Sequence, residues 1–170
     1  DQEGSVTVSC RDACEQIDGI KFDSKRRATE VATESEVAQL RSVIGSIGWI
    51  ARQCRGDLSY DASNGQGAVC RATVQDLKNA NAAVGKCKLY STKGLHYKAG
   101  AIDWSTAVLV TISDASFAQD QYVDSQGNVK LHRSQIGRVH VLAEPSILDT
   151  AFANCHIISY ASMTNKRVCS

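Results

Sequence analysis

Val108-Leu-Val-Thr-Ile-Ser-Asp-Ala-Ser-Phe-Ala118 is the stretch on which the fold turns. Its opening is apolar and β-branched, which predicts a strand, and the strand is expected to end on one carboxylate, Asp114, followed at once by small residues. A carboxylate at the exposed end of a buried strand, with nothing bulky behind it, is where an enzyme can hold a metal against a phosphate backbone. An isolated Ser-Asp is also a common surface turn, so the neighbouring sequence has to decide between the two.

Downstream and just upstream of that stretch the chain reads as strands. Leu95 to Lys98, Ala107 to Ser113, Asn128 to Leu131, Ile136 to Ala143 and Cys155 to Ala161 are separated by Gly, Asp, Asn and Ser, which predicts a mostly antiparallel sheet. Asp120 and Asp124 fall in the expected hairpin loop as solvated turn residues.

Earlier the period changes. Ser5 to Ser9 alternates as a short strand, Arg11 to Ile17 predicts a turn or two of helix, and Asp18 to Ala32 reads as a polar connector. Thr33-Glu-Ser-Glu36 matches a capping box, and Val37, Leu40, Val43, Ile44, Ile47 and Ile50 recur at three- and four-residue steps through about Cys54. Gly45 and Gly48 within that helix are expected to permit close approach of another element. Arg55-Gly-Asp57 breaks the helix and makes a poor cell-attachment motif. Leu58 to Ser63 predicts a short helix ending at a Gly65-Gln-Gly67 turn. Thr73 with Asp76 caps a further helix with Val74, Leu77, Ala80, Val84 and Leu89 on its apolar side. Trp49 and Trp104 read as packing residues.

The fold class is therefore α+β. A helical segment over residues 1–92 precedes a β-rich segment over 104–170, with the composition shift near Ser91 to Trp104 between them.

The bulk numbers exclude several classes. At 170 residues, 43% hydrophobic and 22% charged, the chain is globular and long enough for a real core. Nineteen Lys and Arg stand against 18 Asp and Glu, so any contact with a polyanion must be local. The local basic clusters are Lys25-Arg26-Arg27, Lys86 with Lys88, Lys130 to Arg133, and Lys166-Arg167, each readable also as a solvated face. The seven cysteines contain no C-x-x-C pair, which points away from zinc and toward free thiols in a reducing, intracellular compartment, with no disulfide partner. No apolar run approaches the roughly 20 residues that cross a bilayer. The abrupt start and the ending on Arg-Val-Cys-Ser suggest a piece of a longer polypeptide.

The order of the pieces carries a resemblance. Arg41-Ser-Val-Ile-Gly-Ser-Ile-Gly-Trp-Ile-Ala51 is similar to the R-S-x-[IL]-G-S-[IL]-x-[WY]-[IL]-A helix of copia-type retrotransposon Pol polyproteins, and Arg55-Gly-Asp-Leu-Ser-Tyr60 resembles the R-P-D-[IL]-x-[FY] continuation. Val110 to Ala118 is similar to the family's first ribonuclease H strand with its S-D-A-[DS]-[WF]-A signature. His132-Arg-Ser-Gln-Ile-Gly-Arg-Val-His-Val-Leu142 resembles the R-K-S-T-S-G-Y-V-F-x-L strand, and Ile157 to Lys166 resembles I-S-W-x-S-x-K-Q. Departures are Gly56 in place of Pro, His132 or Arg133 and Gln135 within the second strand motif, and Tyr160 in place of Trp.

The resemblance implies a helical reverse-transcriptase thumb and connection region followed by a truncated ribonuclease H-like sheet. It implies Asp114 as a catalytic, metal-binding carboxylate at the metal-facing tip of an opening, central strand. Arg133, Lys166 and Arg167 are implied contacts to nucleic-acid phosphates. The implied cofactor is Mg²⁺ or Mn²⁺ in the complete parent enzyme, with none expected on this piece. Implied partners are an RNA–DNA hybrid, read through its backbone and 2′-hydroxyls, and the remainder of the polyprotein, with no membrane. The family's Y-x-D-D motif is absent and its later acidic helix lies beyond Ser170, so the piece is expected to be catalytically silent. The competing expectation is a non-catalytic scaffold or interaction module derived from a decayed element, with Asp114 capping a turn.

Overall fold

The computed structural model describes residues 4–116, 121–123, 129–131, 134–150 and 152–164, with backbone alone at 121–123, 129–131 and 164. Its elements run β1 (Val6–Ser9), α1 (Arg11–Gln16), α2 (Glu34–Gln53), α3 (Ser59–Ala68), α4 (Val74–Leu89), β2 (Gly94–Tyr97), β3 (Val108–Ser116), β4 (Gln121–Val123), β5 (Val129–Leu131), β6 (Gln135–Ala143) and β7 (Cys155–Thr164). The mixed α+β class holds, and the described strands pair antiparallel.

Helix α2 starts where its cap requires. Thr33 Oγ1 accepts from the Glu36 amide at 3.3 Å and Glu36 Oε2 accepts from the Thr33 amide at 2.7 Å, so two otherwise unpaired donors are satisfied reciprocally. Arg26 closes on the same carboxylate at 2.7 and 2.9 Å and on the Val31 carbonyl at 2.8 Å. The basic cluster around residue 26 thus fastens the connector to α2. The connector's other end is held by Asn81, which accepts from the Ile20 amide at 2.7 Å and donates to the Ile20 carbonyl at 2.9 Å.

Leu40, Val43, Ile44, Ile47 and Ile50 of α2 meet Leu77, Ala80, Val84 and Cys87 of α4, with Cys14, Ile17, Ile20 and Leu58 completing one buried cluster. Asp76 Oδ2 accepts from both the amide and the hydroxyl of Thr73 at 2.8 Å, fixing the start of α4. Leu89, expected on the apolar side, is 75% exposed at the last residue of α4.

The turn expected at Gly65-Gln-Gly67 is instead helix, since α3 continues to Ala68. Packing explains this. A Cβ at Gly65 would collide with the side chain of Ile44, so the glycine lets α3 lie against α2, and the helix is held by tertiary contact despite its weak propensity. Gly48 serves the same contact, facing Ala62 and Gln66 of α3. Gly45 does not, for a Cβ there would meet nothing within 4 Å.

The described strands form three sheets, one of them the β4–β5 hairpin alone. β1 pairs with β2 from Val6↔Tyr97 to Ser9↔Gly94, joining strands on either side of the helical segment. The larger sheet has the order β3-β6-β7. It touches the helical segment where Tyr160 of β7 meets Gly56 and where Gln135 Nε2 donates to Ser63 Oγ at 3.0 Å, and it touches β2 where the Tyr97 hydroxyl donates to the Ile157 carbonyl at 3.0 Å.

Two expectations about β3 need correction. The strand does not end at Asp114 but continues to Ser116, because the ladder to β6 persists through Asp114↔Gly137 to Ser116↔Gln135, where small residues leave nothing to break it. Nor is β3 central: β6 lies in the middle and β3 is outermost among the described strands.

Candidate nucleic-acid interface

Arg41, Gly45 and Trp49 recur every four residues along α2 and therefore stack on one face of the helix. That face looks away from the core into an open groove of about 540 Å³ between α1 and α2, which Ser42, Ser46 and Gln16 also line. Trp49 is 53% exposed, contrary to its expected role in packing. Its helical phase is the reason: the neighbouring Gly48 and Ile50 point inward, and Trp49 does not. Arg41 is exposed and forms no ion pair among the described residues, whereas Arg26 and Lys86 are both paired to carboxylates.

The groove combines one free guanidinium, an indole face, two hydroxyls and a patch of bare backbone. Guanidinium and hydroxyls are the groups that position phosphates and sugars, and an exposed aromatic offers a stacking or sugar-packing surface that is indifferent to sequence. Gly45 between them lets a bulky occupant come against the helix itself.

Next to this groove the core is fixed by an ion pair that the sequence does not advertise. Arg55 is 1% exposed and donates to Asp57 at 2.9 and 3.0 Å, to the Tyr90 carbonyl at 2.7 Å and to the Cys87 carbonyl at 3.4 Å. It neutralises the C-terminal carbonyls of α4 and ties that end to the break after α2. The guanidinium holds the Asp57 carboxyl below the usual carboxylate range. With its arginine buried and engaged in this way, Arg-Gly-Asp at 55–57 presents no attachment surface.

Asp114 lies on β3, exposed, with Oδ1 accepting from the next amide, that of Ala115, at 2.8 Å. Mg²⁺ in a two-ion nuclease centre needs several carboxylate oxygens. Among the described residues no group of three or more His, Cys, Asp or Glu is arranged to hold a metal. The other residues implied as nucleic-acid contacts, Arg133, Lys166 and Arg167, lie outside the described residues, as do Asp120 and Asp124.

The chain matches no protein-family model, no curated protein and no solved structure.

Among the described residues, those brought together on one face are Arg41, Gly45 and Trp49. The four-residue spacing of Arg, Gly and Trp is visible in the sequence. What conceals it is that Trp49 sits within an otherwise apolar run, where an inward reading comes first. No helix among the described residues is long and apolar enough to cross a membrane.

Proposed function

We propose that this chain is the hybrid-holding, catalytically silent piece of a copia-type retrotransposon Pol polyprotein, a reverse-transcriptase thumb and connection region joined to the opening strands of a ribonuclease H-like sheet. In the parent the activity is RNA-directed DNA synthesis with hydrolysis of RNA in the hybrid. The observation that carries the reading is the Arg41–Gly45–Trp49 face, which falls within the sequence motif of the resembled helix and is left open to solvent beside a groove.

Two further features support it. The β3-β6-β7 meander follows the order of the three resembled strand motifs. Three of the departures from the family pattern, Gly56, Gln135 and Tyr160, lie where the sheet meets the helical segment, Gly56 against Tyr160 and Gln135 against Ser63.

The role of the chain's own residues is to bind and orient. Arg41 pairs with a backbone phosphate, Ser42 donates to a phosphate or sugar oxygen, Ser46, whose hydroxyl donates to the Ser42 carbonyl at 3.1 Å, accepts from a sugar hydroxyl, and Trp49 packs on a sugar or exposed base. Such contacts are indifferent to base sequence.

The test is fluorescence anisotropy of a labelled RNA–DNA hybrid titrated with the chain across a salt series. Binding should weaken about tenfold for Trp49→Ala, and Arg41→Ala should reduce the salt slope by about one. Asp114→Asn should bind as the parent does, and no Mg²⁺- or Mn²⁺-dependent cleavage should be seen. Hybrid binding unaffected by either groove variant, or cleavage that Asp114→Asn abolishes, overturns the reading.

A second reading, a non-catalytic interaction module from the same kind of element, draws on the hydrogen bond between the Asp114 carboxylate and its own neighbour. It predicts no hybrid binding in the same titration.

A further inference from the structure

The β3 strand presents an unusual edge. Nine residues long and outermost in its sheet, it spans about 30 Å at about 3.3 Å per residue, and among the described residues it pairs on one side only. Proteins blunt such edges with Pro, Lys, bulges or a covering segment, because a free row of amides and carbonyls is a template for another strand. Val108–Ser116 has no Pro, Lys or Arg, and its ladder to β6 runs without a register shift. The opposite side of the sheet is protected. The β6–β7 ladder carries an irregularity at His140/Val141, and Tyr97 covers part of β7 through the Ile157 carbonyl.

Two of the exposed side chains along this edge are large and apolar. Leu109 is 66% exposed and Ile112 60% exposed, on opposite faces of the strand. A partner strand would cover the flank of each with a cross-strand neighbour.

We propose that two copies of the chain associate through antiparallel pairing of their β3 edges about a two-fold axis at Ile112. The sequence of the strand is complementary to itself in that register. Ile112 meets Ile112 of the second copy, Leu109 meets Ala115, Thr111 meets Ser113, and Val110 meets Asp114. Paired residues always differ by an even number, so whichever alternate set of backbone groups faces outward meets the same set on the copy. The charges agree as well. Each strand carries a single one, Asp114, and the two are four residues apart across the pair, about 14 Å, which is beyond the screening length at physiological salt. No like charges stand opposite each other, as they would with most partners rich in acidic residues.

An interface of one strand pair is small, so the dimer forms weakly and depends on concentration, with a dissociation constant on the order of 100 µM. This association is separate from the Arg41–Trp49 groove, and hybrid binding neither requires it nor tests it.

Sedimentation equilibrium of the full chain from 10 to 500 µM is the experiment. The expected result is a reversible monomer–dimer equilibrium that Ile112→Lys weakens at least tenfold while circular dichroism stays unchanged, Ile112 being largely exposed already. A second variant keeps the test independent of that one. In a background with Cys70→Ser and Cys155→Ser, Ile112→Cys places two thiols across the axis at strand-pair spacing, which matches disulfide geometry, and oxidised glutathione should cross-link the dimer. Thr106→Cys, outside the strand, should not cross-link. A chain that stays monomeric to 500 µM, or a dimer that Ile112→Lys leaves intact, overturns the proposal.

Discussion

Gly56 lies flat against the ring of Tyr160: a Cβ at position 56 would stand 2.9 Å from Cδ2 and 3.0 Å from Cε2. This single contact joins the break after α2 to the last strand of the sheet, and burial there pushes the Tyr160 phenol up to about 12.

Gly56→Ala should therefore cost about 1–3 kcal/mol, the range for forcing an extra methyl into a filled site. Urea unfolding followed by Trp fluorescence measures it. In a Tyr160→Ala background the same substitution should lose most of its effect, and a cost that persists there shows that the ring is not the obstacle.

Gly45 and Gly65 make a matched pair with opposite outcomes. Gly45→Ala adds a methyl to open space on an exposed helix face and should stabilise by about 0.5–1 kcal/mol. It should also weaken hybrid binding, since the bare backbone is lost. Gly65→Ala drives the new methyl into Ile44 and should destabilise by about 1–3 kcal/mol. Thermal melts of the two variants, read beside anisotropy titrations, check both signs.

Acid should loosen the helical layer. The Thr33 amide, and after it Arg26, hold the Glu36 carboxyl below its usual value, and Arg55 does the same for Asp57. A carboxylate depressed in the folded state contributes stability that is complete above its unfolded value, about 4, and is lost as pH falls through the folded value. Urea midpoints should hold steady from pH 7 to about 5 and fall below about 4. Glu36→Gln should lower the midpoint at pH 7 and flatten the acid limb. An unchanged acid limb in that variant removes Glu36 from the account.

Thiol reactivity should divide by burial. Desolvation pushes the thiols of Cys54 and Cys87 up to about 12, and Cys14 is fully buried beside them. Cys70 and Cys155 are exposed. Brief iodoacetamide treatment at pH 8, followed by peptide mass mapping, should modify Cys70 and Cys155 and spare Cys14, Cys54 and Cys87 until denaturant is added.

Much of the fold was legible because the signals are local. The capping boxes at Thr33 and Thr73, the stripe from Leu40 to Ile50 and the strand starting near Val108 each depend on residues a few positions apart. Signals that depend on distant partners were not legible. Gly65 reads as a turn until Ile44 is seen across from it, and Asp114 reads as a strand end until Gly137 extends the ladder. Arg55 gives no hint in the sequence that it is buried, because its partners at Cys87 and Tyr90 are backbone carbonyls more than thirty residues away. Of the candidate site, Arg41 and Trp49 were in plain view within the motif. Only the helical phase of Trp49 against the core separates an inward ring from an outward one.

The β1–β2 ladder has a consequence for synthesis. Val6 through Ser9 find their partners only at Gly94 through Tyr97, so the N-terminal strand must wait, unpaired, while nearly ninety residues leave the ribosome. The helices between can form as they emerge, but the clasp around them shuts only after Tyr97 clears the exit tunnel. A pause or truncation before that point leaves the helical layer unfastened and the first strand free to be cut by a protease.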